Sequence, residues 1–452
     1  MAVKIDQHTR LIVHTRPDKL GDHVLLIPIL RDLYEQTNCH ITLISSETVA
    51  PFLRLFDCIA DVITMDINAP ESAWLSRTRD TIKARQMDVW VSCWNHPSMA
   101  KLAFLSRIPI RIGDASIVPL SWYYTHRIPQ PWGNPLRHQL DYYESMMTPL
   151  GIKTQWRRDW LPLSPHARHT IKALYEGITQ PKIMVFLETG GTNIPIPHPI
   201  IQAVIPDLVA QGYHVTVCAQ APHDGFMPPV LNMTGQGLSI EELIALLSQC
   251  DYYIGGDTAP THLASLLQKP ILFFSPMKNH SPARWGPLSP YQIILRKEYR
   301  CLVPCLATPC PPVCVNWVTP QRVMAGFLDL VATTHGPPKT PLEYYRNHAI
   351  HTLRCMRIQH APEYGYCITQ SEEDGYVVFT LSTHRWWPHI KAILSFVEDR
   401  NINVLLGPIP TLLRWIITGY MGIIRQKIPP IHWDTLAVVP TQLATKAMAS
   451  PL

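Results

Sequence analysis

The sequence predicts an α/β protein: two doubly wound domains in tandem, followed by a smaller α/β appendage. Three observations carry this. Short apolar runs alternate with segments of helical periodicity from the N-terminus onward, the pattern of parallel strands joined by crossover helices. The alternation is interrupted between about residues 119 and 165, where proline and tryptophan accumulate, and then restarts. At about 150 residues per domain, 452 residues also exceed what one core holds. The predicted domains are residues 1–165, 166–335 and 340–452.

In the first domain Leu11–His14 is a short apolar run, and Thr15 to Asp22 is a polar loop. His23–Gln36 then sets Val24, Ile27, Leu30, Leu33 and Tyr34 at helical spacing. Ile41–Ile44 reads as a strand, Thr48–Phe56 as a helix, and Asp88–Ser92 and Arg111–Gly113 as further strands of the series. In the second domain the strands are Ile183–Leu187, His214–Cys218, Tyr252–Ile254 and Ile271–Phe274. The helices between them are Ile200–Gln211, Ile240–Ser248 and Thr261–Leu267. The appendage offers strands Tyr376–Leu381, Asn403–Leu406 and Leu436–Val439, with helices Trp387–Val397 and Thr411–Ile424. Ligands of doubly wound sheets lie at the carboxyl ends of the strands, so two such domains imply a cleft between them.

Composition narrows the function classes. Hydrophobic residues make up 46% of the chain, enough for sizeable cores, and charged residues only 16%, against about 25% in an average protein. The net charge of +5 is thinly spread. Dedicated nucleic-acid binding wants a concentrated basic patch, so no nucleic-acid partner is expected. Weak attraction to an anionic membrane surface remains open. The 11 cysteines are odd in number, and the N-terminus has no apolar stretch of signal-peptide type; both fit a reducing cytoplasm. The apolar segment Ile402 to Ile424 is broken by Gly407, Pro408, Pro410 and Arg414, so no spanning helix is expected there.

Two clusters have the residues for chemistry. In Arg16-Pro-Asp-Lys-Leu-Gly-Asp22, a loop at the mouth of the sheet leads into a helix N-terminus with free N–H groups. Gly21 permits close backbone approach, and Asp22 is placed either as a general base or as a plain helix N-cap. In Tyr253-Ile-Gly-Gly-Asp-Thr-Ala-Pro-Thr-His-Leu-Ala264, a strand ends in two glycines and Pro260 opens a helix. That N-terminus suits a diphosphate. Asp257 would repel phosphate and suits sugar hydroxyls, while His262 is equally a core histidine. For Cys301, Cys305, Cys310 and Cys314 three readings stay open: zinc, a disulfide or redox clasp, or free thiols in a loop. Trp386 and Trp387 suit a plain core role, with lipid or partner contact as the alternative. A P-loop, GxSxG, HExxH or kinase signature is lacking, and without a GxGxxG loop a nicotinamide has no support, so no cofactor is expected.

The stretch RPDKLGDHVLLIPILR from Arg16 to Arg31 resembles the N-terminal signature of the lipopolysaccharide heptosyltransferases, glycosyltransferase family 9. Gly21, Asp22 and Pro28 match it in type and spacing. Ser106–Gly113, the Ser-x-x-Glu-Leu helix in Leu238–Leu247, Gly256–Ala264 and Arg284-Trp-Gly-Pro287 match in the family's order, across about residues 10–330. The resemblance implies a GT-B fold and an inverting, metal-independent transfer of heptose from ADP-heptose. The acceptor would be the lipid A-bearing inner core of lipopolysaccharide, met peripherally at the cytoplasmic face of the inner membrane. It implies Asp22 as general base and Arg16, Lys19 and Gly21 on the acceptor side. The donor would be held by Asp257, Thr258, Ala259 and His262, and by Gly191, Thr192 and Asn193 of the loop after the Ile183–Leu187 strand. Glu188–Pro199 departs from the family there: the usual lysine before Trp-Pro is absent, as is the tryptophan, which leaves Lys278, Arg284 or another basic residue as a substitute. Two alternatives follow, a transferase for another nucleotide sugar and a non-catalytic homologue that binds a sugar nucleotide or glycolipid.

Overall fold

The computed structural model of the chain describes residues 3–116, 118–130, 138–155, 161–190, 193–276, 282–296 and 313–338, with four strands between 359 and 406. The first sheet contains β1 (Arg10–His14), β2 (His40–Ser45), β3 (Asp61–Thr64), β4 (Val89–Ser92), β5 (Ile110–Asp114) and β6 (His126–Ile128). Every pairing is parallel, in the order β3-β2-β1-β4-β5-β6. The second contains β7 (Lys182–Phe186), β8 (His214–Ala219), β9 (Leu231–Thr234), β10 (Tyr252–Gly256), β11 (Ile271–Phe274) and β12 (Gln292–Leu295). It too is all-parallel, in the order β12-β11-β10-β7-β8-β9. Counted within its own sheet, each reads 3-2-1-4-5-6, the dinucleotide-binding order.

Residues covered on both faces form these strands: Leu11, Ile12 and Val13 in β1 and all of β11 are fully buried, as parallel sheets under helices require. The helices are α1 (Leu20–Thr37), α2 (Ala50–Leu53), α3 (Glu71–Arg85), α4 (Pro97–Leu105), α5 (Val118–Ser121), α6 (Gln139–Met147) and α7 (Pro165–Leu174). After them come α8 (His198–Ala210), α9 (Ile240–Gln249), α10 (Ala259–Leu266), α11 (Pro282–Trp285), α12 (Val313–Asn316) and α13 (Pro320–Thr334). Helix α9 starts with a capping box: the Ser239 hydroxyl accepts from Glu242 N–H, and the Glu242 carboxylate accepts from Ser239 N–H. Both sheets belong to one compact unit.

The sequence reading is corrected in three places. Helix α1 begins at Leu20, so Gly21 and Asp22 lie within its first turn and not in the preceding loop. The helix expected over 48–56 is a single turn, α2. The stretch from 119 to 165 carries structure of its own, strand β6 and helix α6, which completes the first domain's packing against α1, β4 and β5.

A second compact unit holds β13 (Gln359–Ala361), β14 (Tyr366–Gln370), β15 (Val377–Leu381) and β16 (Val404–Leu406). Its sheet is mixed: β13, β14 and β15 pair antiparallel, and β15 pairs parallel with β16. A parallel pair needs a crossover of a dozen or more residues, and the chain supplies one between 381 and 404. The expected helices 387–397 and 411–424, the strand 436–439, Trp386 and Trp387 lie outside the described residues. Among the described residues no helix is long and apolar enough to cross a membrane.

Candidate functional site

In each sheet the strand order reverses beside its first strand, between β1 and β4 and between β7 and β10, and a crevice opens there at the carboxyl ends. A cavity of about 600 Å³ occupies this place. Arg16 to Asp22 after β1 form one wall. Glu188 to Gly190 after β7, Cys218 to Gln220 at the end of β8, and Asp257 to Pro260 with His262 after β10 form the other. The cavity therefore gathers Arg16, Lys19, Gly21, Asp22, Asp257, Thr258, Ala259 and His262, residues from two distant parts of the sequence.

Asp22 does not cap α1. The N-cap is Lys19, without a side-chain bond, and Asp22 sits in the first turn. Its Oδ1 accepts a hydrogen bond from the Tyr143 hydroxyl at 3.0 Å. Burial pushes the carboxyl up to about 6, against the opposing pull of the Tyr143 bond and of the charges on Arg16 and His262. Tyr143 lies fully buried, and its own pKa is driven far upward by burial and by the nearby Asp22 charge. It stays a neutral donor.

Across the cavity Thr258 is the N-cap of α10, and its side chain makes no capping bond. The N–H groups of Thr261 and His262 turn back to the Thr258 carbonyl, and Pro260 has none, so Thr258 and Ala259 hold the N–H groups aimed at the cavity end of the helix. His262 is 3% exposed, with its Nε2 3.6 Å from Asp257 Oδ1. The two walls approach closely at Gly21: a Cβ there would stand 3.2 Å from His262 Cδ2 and 3.8 Å from the Ala259 nitrogen. Arg16 and Lys19 both pair with Asp18, at 3.5 and 3.6 Å, and stay partly exposed on the lining.

The other predicted residues fall elsewhere. Asn193 is buried beside the loop, its carbonyl accepting from Thr189 and its side chain from Ile194 N–H, and it does not line the cavity. Gly191, Thr192, Lys278, Cys301, Cys305 and Cys310 lie outside the described residues, as does the side chain of Cys314. Arg284 does not line the cavity: its Nε donates to Gln139 Oε1 at 2.8 Å and its guanidinium lies 3.9 Å from the Tyr142 ring centre. Sequence reasoning missed Tyr143 and Glu188. Glu188 accepts from Gln220 and Ala221 N–H at 2.7 and 3.0 Å, fixing the loop after β8. Among the described residues no group of three or more His, Cys, Asp or Glu is placed to hold a metal ion.

The sequence profile of glycosyltransferase family 9 (heptosyltransferase) matches residues 75–315, just over half of the chain. The chain belongs to this family. A curated relative, lipopolysaccharide heptosyltransferase 3 of Escherichia coli, is 25% identical over 185 residues, 36% of this chain and 53% of the relative; the match thus spans about half that relative's length. Among solved structures, the family 9 glycosyl transferase from Veillonella parvula superposes with a TM-score of 0.60 at 18% identity, covering 73% of this chain and 99% of that one. E. coli ADP-heptose lps heptosyltransferase II gives 0.56 at 16% identity, covering 73% and 100%. These likenesses establish the GT-B arrangement of two facing parallel-sheet domains.

Proposed function

We propose that the chain is an inverting glycosyltransferase that moves a heptose from ADP-heptose to the inner core of lipopolysaccharide, with Asp22 as general base. One observation carries the reading: a carboxyl with pKa near 6 stands on one cavity wall, against a helix N-terminus with free N–H groups on the other. A base with that pKa is ionised at neutral pH yet takes a proton readily. Asp22 removes the proton of the acceptor hydroxyl as its oxygen attacks the anomeric carbon. The bond to the diphosphate breaks on the opposite face, and configuration inverts. The leaving phosphate meets the N–H groups of Thr258 and Ala259 and the positive end of α10. Asp257, with His262 beside it, accepts from the sugar hydroxyls, and Arg16 and Lys19 bring positive charge to the acceptor side. The acceptor is a glycolipid, met from the cytoplasmic side of the membrane.

The names of the relatives support the donor and the pathway: they are a lipopolysaccharide heptosyltransferase and an ADP-heptose heptosyltransferase. Calorimetric titration with ADP-heptose, ADP, and UDP- and GDP-sugars tests the donor. Selective binding of ADP-heptose that is lost in Asp257→Ala is expected. Tighter binding of another nucleotide sugar would move the assignment to that donor. Full transfer activity in Asp22→Ala would sink the base.

A further inference from the structure

Helix α6 touches both halves of the site. At its start His138 Nδ1 accepts from Leu140 N–H at 3.1 Å, so the ring proton sits on Nε2, which donates to the Gly286 carbonyl at 2.9 Å. Burial pushes His138 down to about 3 and keeps it neutral. Gln139 accepts from Arg284, and Tyr142 carries the Arg284 guanidinium on its face. These contacts tie α6, packed on α1 in the first domain, to the Arg284–Gly286 segment of the second. The next residue, Tyr143, gives its single proton to Asp22, so the Thr15 hydroxyl 3.0 Å away donates to the Tyr143 oxygen. Thr15 follows directly on β1 and is buried; the relay is anchored to the sheet.

We propose that Tyr143 is a positioning residue for Asp22, and that the Arg284 clasp on α6 sets it, so that contact between the two domains reaches the carboxylate through one helix. The inference rests on the reading of Asp22 as base. With Oδ1 held by Tyr143, Oδ2 is the oxygen left to take the acceptor's proton. The other charged or titratable groups around Asp22 are Arg16 and Asp18 of the preceding loop, His262 of the facing wall and Arg284, with Lys19 and Asp257 on the same cavity lining. Of these contacts, the Tyr143 hydrogen bond is the one that fixes direction as well as charge.

The test uses the full chain with Tyr143→Phe and Arg284→Lys. Phenylalanine conserves volume and removes the hydroxyl; lysine keeps the charge and loses the flat fork. In Tyr143→Phe, kcat is expected to fall about tenfold or more with donor affinity within about twofold. The acid limb of kcat/KM moves to higher pH by about half a pH unit or more, because the ionised form has lost a donor. Arg284→Lys moves the limb the same way by a smaller amount. Wild-type kcat with an unmoved limb in Tyr143→Phe overturns the positioning role, and an unmoved limb in Arg284→Lys overturns the clasp. If Tyr143→Phe does not fold, Thr15→Val, which removes the hydroxyl behind Tyr143, is read by the same limb. Asp22→Asn separates the two readings: wild-type turnover there refutes the base itself, whereas an inactive Asp22→Asn beside an unaffected Tyr143→Phe refutes only this inference.

Discussion

Replacing Asp22 by asparagine should make the protein more stable and inactive, with a pH dependence that identifies the cause. The carboxyl titrates near 6 in the folded chain and near 3.9 in an unfolded one. The folded state therefore holds the proton more tightly. The stability that goes with the protonated form is fully present below about pH 4 and is lost as the pH rises through 6. A difference of about two pH units is worth about 3 kcal/mol, an upper figure, since Asp22 borders an open cavity and water screens part of it; about 1–3 kcal/mol is expected. Asparagine keeps the oxygen that accepts from Tyr143 and never ionises. Thermal melts of both proteins should thus nearly coincide at pH 4 and diverge between pH 4 and 6, with the variant several degrees higher above that. Wild-type kcat/KM should fall on the acid side with an apparent pKa near 6, in the same interval. Melting curves that stay a constant distance apart from pH 4 to pH 8 would refute the buried, poorly solvated carboxylate.

Three further outcomes follow from the same geometry. Gly21→Ala places a methyl 3.2 Å from His262, so kcat should drop about tenfold while the melting temperature barely moves, because alanine favours the helix by about 0.5–1 kcal/mol; an unchanged rate would mean the walls do not need this approach. Asp257→Asn removes the charge that would accept from sugar hydroxyls and should weaken donor binding about 10- to 100-fold, measured calorimetrically, with ADP alone bound nearly as before. His138→Ala deletes the α6 cap and the bond to Gly286 together and should cost about 1–3 kcal/mol by denaturant titration. A loss near zero there would show that the clasp is held by Arg284 alone.

The sheets were legible because parallel strands covered on both faces announce themselves as apolar runs, as Leu11–Val13 and Ile271–Phe274 do. Strand β3 escaped because its apolar run is only Val62 and Ile63 between Asp61 and Thr64, and α3 because it buries only Trp74, Thr78 and Ile82 along fifteen mostly polar positions. The Asp22 and Asp257 loops were legible for a different reason: in a doubly wound sheet, loop position follows from strand order, and both loops fall where the order reverses. Tyr143 was not. A tyrosine on a helix in a proline- and tryptophan-rich stretch has no local mark of function, and its bond to Asp22 spans 121 positions. The one signal available was the start of its helix, where His138 and Asp141 form a capping box; histidine in place of serine or threonine hides it from the usual pattern.

The loop after β7 lacks the family's lysine, so on the proposed reading other groups must meet the leaving diphosphate. Among the described residues that line the cavity, the cations are Arg16 and Lys19, both from the first domain. Arg284, a substitute that sequence alone allowed, is committed to α6, and its charge lies toward Asp22. On the proposed reading the leaving diphosphate is then met by dipoles from its own side, the N-terminus of α10 and the uncapped Thr258 hydroxyl, and by positive charge from across the cleft. One well-aimed donor to a developing oxyanion is worth about 3–4 kcal/mol, comparable to what one lysine would supply. The charge from across the cleft acts only when the domains face each other as they do at Gly21, so turnover in this chain should depend on that closure more steeply than donor binding does.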